Sequence, residues 1–141
     1  MNKLLLFLII TLTLSACNGA QSPISTTAGN IVCEVFYRSG AGQSFESAPL
    51  MKFTGGTEKQ SQAFDELLFE AWFQDDEFEG RALSIVIVDS EKDREIARQL
   101  YQFDPQNSVE NQFVGGHGFT GLNYVFHPNS VAEIQYFCSV D

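Results

Sequence analysis

Phe64-Asp65-Glu66-Leu67-Leu68-Phe69-Glu70-Ala71-Trp72-Phe73-Gln74 can be read with two periods, and the choice between them decides the fold. At helical spacing Phe64, Leu67, Leu68, Ala71 and Trp72 share a face, whereas strict alternation puts Leu67, Phe69, Ala71 and Phe73 together. The same ambiguity returns at Ser90 to Phe103. That stretch is either a helix capped by Ser90, with Asp93 as its capping-box acid, or the return strand of a hairpin turning at Glu91 to Asp93. Between the two lies Leu83-Ser84-Ile85-Val86-Ile87-Val88-Asp89, a β-branched run with a strand's composition. Strand and turn signals surround both doubtful stretches, so both are read as strands.

Working outward, Pro49 to Thr54 and Phe119 to Phe126 are further strands. Ile31, Cys33, Val35 and Tyr37 alternate in the first run of the domain, and Ala132, Ile134, Tyr136, Cys138 and Val140 alternate in the last. The fold class is all-β, a single β-sandwich of about seven or eight mostly antiparallel strands. The alternative is α+β, with helices near 62–74 and 91–102. Internal repeats and a second domain leave no trace in the sequence.

The beginning of the chain has another character. Met1-Asn2-Lys3 is followed by an uncharged apolar run to Leu14, then Leu14-Ser15-Ala16-Cys17. One base, a short apolar stretch and small residues before a cut site make an export signal, too short for the roughly 20 residues that span a bilayer. The ending resembles the lipobox of bacterial lipoproteins. The resemblance covers residues 1–17. It implies cleavage before Cys17, diacylglycerol on the Cys17 thiol and attachment to a membrane through that lipid. Asn18 stands where an aspartate usually retains such proteins at the inner membrane, which favours the outer membrane. Residues 1–16 are then signal, and 17–30, small and polar, form a lipidated flexible tether of about 20 Å typical end-to-end distance. Residues 31–141 are the folded domain.

With Cys17 assigned to lipid, Cys33 and Cys138 remain near the two ends of the domain. Export makes a disulfide between them the default, and both fall on the apolar face of their runs.

Removing the signal leaves 125 residues with a net charge of −11. A field of that sign repels nucleic acid and favours basic partners. Twelve phenylalanines, four tyrosines and Trp72 remain in the mature part, enough for a packed core with aromatics left for the surface.

Gly116-His117-Gly118-Phe119-Thr120-Gly121 has the letters of a dinucleotide-binding fingerprint but lacks the strand before it and the helix after it. Two readings stand. The glycines supply positive φ angles in a wide turn, or they let a ligand or partner approach, with Phe113, Gly116, His117, Gly118 and Phe119 as contacts. His127 precedes a turn and reads as a surface residue. A nucleophile elbow of the G-x-S-x-G kind is absent from the sequence. Asp75, Asp76, Glu77 and Glu79 are weak calcium candidates without the EF-hand spacing. Asp89, Glu91, Asp93 and Glu95 read as a solvated hairpin tip. No cofactor is implied. The expected function is a non-catalytic binding or interaction module of the cell envelope, joined to the membrane through Cys17 and recognising an envelope protein or a glycan. The alternatives are an inhibitor or accessory subunit of an envelope enzyme, and a hydrolase.

Overall fold

Alternation governs the doubtful stretch. Leu67, Phe69, Ala71 and Phe73 are buried, while Trp72 stays half exposed on the opposite face, where a helix would have turned it inward. The computed structural model describes residues 30–76, 80–104 and 109–141. Its strands are β1 (Ile31–Arg38), β2 (Glu46–Ser47), β3 (Met51–Phe53), β4 (Glu58–Ala63), β5 (Leu67–Asp76), β6 (Gly80–Asp89), β7 (Arg94–Phe103), β8 (Asn123–Phe126) and β9 (Glu133–Val140). A short 3-10 turn spans Val114–Gly116.

These strands form two antiparallel sheets packed face to face. Sheet A runs β2-β1-β9-β8, with β3 also paired to β1, and sheet B runs β4-β5-β6-β7. The expected all-β sandwich is the fold, with two strands that the sequence reading did not include, β2 and β4, bringing the number to nine among the described residues. The Ser90 to Phe103 stretch is the return strand of a hairpin. β7 pairs with β6 from Asp89↔Arg94 to Arg81↔Phe103, with a bulge where Ile96 is passed over. Asp93 takes the one positive φ of a non-glycine residue among the described residues, 47°, at the turn. Two strand limits are narrower than the sequence suggests. Only Met51–Phe53 of Pro49 to Thr54 is strand, and Phe119 to Leu122 remain in the glycine-rich turn before β8.

The core lies between the sheets. Ile31, Val35, Phe53, Ile134 and Tyr136 from sheet A meet Leu67, Phe69, Phe73, Leu83, Ile85 and Ile87 from sheet B. Phe53 and Phe73 rings meet across the layer at 6.1 Å, and Phe69 meets Tyr136 edge-on at 5.3 Å. Full burial of such a side chain contributes about 2 kcal/mol. Cys33 and Cys138 are directly opposed in the β1–β9 ladder and form the disulfide, wholly buried. It thus joins neighbouring strands within sheet A rather than the two sheets. The signal, Cys17 and most of the tether lie outside the described residues, as do Glu77 and Glu79.

Candidate functional site

The glycine-rich loop is built first by backbone demands. Gly115, Gly116, Gly118 and Gly121 all adopt positive φ. At Gly118 a Cβ would stand 2.0 Å from the Cys138 carbonyl oxygen, so no other residue fits. The close approach has a purpose in the ladder. β8 pairs with β9 only from Glu133 to Tyr136, leaving the rest of the β9 edge without a strand. The loop satisfies it instead: Phe119 N–H donates to the Cys138 carbonyl at 2.9 Å, and Cys138 N–H donates to the Thr120 hydroxyl at 2.8 Å. Farther along, the Asn111 amide brackets Val140, donating to its carbonyl at 2.9 Å and accepting from its N–H at 3.0 Å. The wide-turn reading of these glycines therefore describes their geometry.

The side chains of the loop divide between two places. Phe119 turns inward against Tyr101 and Phe103, at 5.9 and 5.3 Å, and helps close the space between β7 and the loop. There the Tyr101 and Tyr136 phenols lie close enough to influence each other. Burial, with Tyr101 beside it, pushes the Tyr136 phenol well above its usual range. His117 instead faces outward, edge-on to Phe137 at 5.4 Å, and Phe113 lies half exposed over Gly121. The structure thus separates Phe119 from His117 and Phe113, which the sequence had grouped.

His117 leads to a feature that the sequence reading did not single out. Residues of sheet A with the parity opposite to the cysteines lie on its outer face, most of them only partly buried, and several are aromatic. Phe36 and Phe137 stack at 6.4 Å. Tyr124 and Phe126 on edge strand β8 are 53% and 60% exposed. Tyr124 shares a row with Gln135 and Phe36, and Phe126 shares one with Glu133 and Arg38. At the centre Glu133 is 1% exposed yet fully partnered. Arg38 donates to its Oε2 from Nε at 2.8 Å and from a terminal nitrogen at 2.5 Å, and Gln135 donates to Oε1 at 2.7 Å. The Arg38 guanidinium also lies over the Phe45 ring, 4.7 Å from its centre. The result is an aromatic outer face around an internally neutralised polar centre, on a chain that is strongly acidic elsewhere. Its signal was present in the sequence: an outward position of a sandwich strand is expected to be polar, and Phe36 and Phe137 are not.

A second cluster corrects the surface reading of His127, whose side chain is 8% exposed. The turn after β8 drives it under the ends of sheet B. Its Nε2 is 3.4 Å from Asp89 Oδ2 and its Nδ1 3.6 Å from Glu66 Oε2. Asp89 is likewise no solvated tip residue. It is wholly buried, and its Oδ1 accepts from the Glu91 and Lys92 N–H groups at 3.2 Å. Burial pushes its carboxyl upward, but the Lys92 N–H, the His127 ring and the Lys92 charge outweigh that and hold it below the usual carboxylate value. Ser130 donates its hydroxyl to Glu66 Oε2. The serine proton is therefore directed at a carboxylate and not at the imidazole.

Of the calcium candidates, Asp75 is taken by Arg81 across the β5–β6 hairpin, at 3.1 Å. Among the described residues no group of three or more His, Cys, Asp or Glu side chains is arranged to hold a metal ion. No protein-family model, no curated protein and no solved structure matches this chain.

Proposed function

We propose that the chain is a bacterial lipoprotein, anchored through lipid on Cys17, whose domain is a non-catalytic binding module of the cell envelope, with the outer membrane as its favoured site. The outer face of sheet A is its recognition surface. The observation that carries this reading is the group of rings on that face, with Tyr124 and Phe126 more than half exposed and Phe36 and Phe137 partly buried and stacked on each other. A solvated sheet face normally carries polar side chains, and a contiguous apolar patch on a soluble domain marks a place where something binds. Flat rings around hydrogen-bonding Gln135 suit a partner that offers apolar faces beside polar groups, either a glycan or the surface of another envelope protein. The lipid supplies membrane attachment, which leaves this face free for its partner.

A photo-crosslinking residue placed at Tyr124, in cells that make the full chain, tests the reading. Adducts at Tyr124 should exceed those from the same probe at Leu100, on the outer face of sheet B. Equal yields at the two positions would remove the outer face of sheet A as the recognition surface.

The hydrolase alternative rests on Glu66, Asp89, His127 and Ser130. There the Ser130 hydroxyl meets Glu66 and not the His127 ring, so these two residues do not form a serine–histidine pair.

A further inference from the structure

From Asn111 to Ala132 the chain runs 22 residues without an Asp, Glu, Lys or Arg, whereas no other such run in residues 31–141 exceeds seven. This stretch opens on the tip of the glycine-rich loop, where Phe113 is 51% exposed and Val114 92%. Apolar side chains scattered singly over a surface are ordinary. These two are adjacent, lie in the one long uncharged run of an acidic domain, and are held in place.

The tip has a fixed shape. Gln112 and Phe113 both donate their N–H groups to the Gly118 carbonyl at 3.0 Å, and Gly115 and Gly116, at φ of 80° and 81°, turn the chain directly after Val114. Phe113 lies against Gly121, where a Cβ would come within 3.2 Å of its ring. Little ordering is left to be done when the tip meets a partner.

The position of the loop indicates which partner. Asn111 brackets Val140 on β9, and Gly118 packs on the Cys138 carbonyl. Val140 is paired with Ile31, and Asp141 N–H donates to the Asn30 carbonyl at 3.0 Å. The loop is therefore rooted at the end of sheet A where the chain enters the domain from the side of Cys17. A tether of the length of residues 17–30 has a typical end-to-end distance of only about 20 Å, so a lipid on Cys17 keeps this end close to the bilayer. Glu110, three residues before Phe113, and the terminal Asp141 are exposed acids at the loop's root, which favours a zwitterionic surface over an anionic one.

We propose that Phe113 and Val114 dip into the interface of the membrane that holds the Cys17 lipid, a zwitterionic phospholipid surface, and so orient the sandwich on it. The proposal rests on the lipid anchor of the proposed function. The lipid supplies the affinity and keeps the tip at high local concentration, so two apolar side chains suffice to set the orientation.

The test places the full lipidated chain in vesicles of phosphatidylcholine brominated on its acyl chains and reads tryptophan quenching. In a Trp72→Phe background, Val114→Trp should be quenched about threefold more strongly than Leu100→Trp, which puts the ring at an exposed position on the outer face of sheet B. Adding Phe113→Ser should cut that difference about twofold. Equal quenching at the two positions, or a difference untouched by Phe113→Ser, in a chain that floats with the vesicles would overturn the tip contact and leave the anchor standing. A chain that does not float with them would overturn both.

Discussion

Gly116 and Gly118 are two residues apart in the same loop, yet a methyl group would meet very different surroundings. At Gly118 it runs into the Cys138 carbonyl, whereas at Gly116 nothing lies within 4 Å. Both have positive φ. Gly116→Ala should therefore cost only the conformational strain, about 1 kcal/mol, and Gly118→Ala about 3 kcal/mol or more, as read from urea midpoints. Asp89 supplies a second prediction at this scale. Its folded carboxyl keeps its charge at lower pH than an unfolded one, so the unfolded chain binds more protons in acid. The stability it contributes is complete above about pH 4 and disappears as pH falls through the folded value. Urea unfolding from pH 7 to pH 2 should show that loss, and Asp89→Asn, which has no proton to gain there, should show a shallower one. The positive φ angles of the glycines were legible in the sequence, but the close approach at Gly118 and the burial of Asp89 were not. The burial of Asp89 and His127 comes from the β6–β7 turn meeting the β8–β9 turn, residues far apart in the chain, and two polar residues beside turns read as solvent-facing.

The elements were more legible. Leu67 to Phe73 satisfied both periods in the sequence, and the decision came from partners: ten consecutive residues of β5 are paired with β6. A helix would have had to bury Leu68 and Trp72 while abandoning those bonds. Parity also brought Cys33 and Cys138 to the apolar face, where the β1–β9 register sets them directly opposite. Their separation of 105 residues makes the bond stabilising chiefly through the unfolded chain. Replacing both by alanine should cost about 4 to 5 kcal/mol in denaturant unfolding, in the chain-entropy picture. The outward parity was the part left unread. Once one face of β1 and β9 is assigned to the core, Phe36 and Phe137 fall on the other, and in the proposed function they belong to a surface kept for contact. Their gathering with Tyr124 and Phe126 required the β8–β9 register, which short apolar runs do not specify.

At the scale of the molecule, the parts have different duties. The sandwich supplies a rigid core and two faces, of which sheet A carries Tyr124 and Phe126 and sheet B carries the half-exposed Trp72 beside the ion pairs Lys59 with Glu70 and Arg98 with Glu95. In the proposed function, the first 30 residues supply location, and the domain supplies recognition within reach of a membrane. That division makes the attachment the central claim, because a domain released from the membrane would meet other partners altogether. The most direct test is mass spectrometry of the N-terminal tryptic peptide from the protein purified out of the cells that make it, after reduction. The account predicts a peptide beginning at Cys17 and ending at Arg38, carrying diacylglycerol on the cysteine and extracted with the membrane fraction. A chain whose Cys17 is unmodified, or which still begins at Met1, would contradict it.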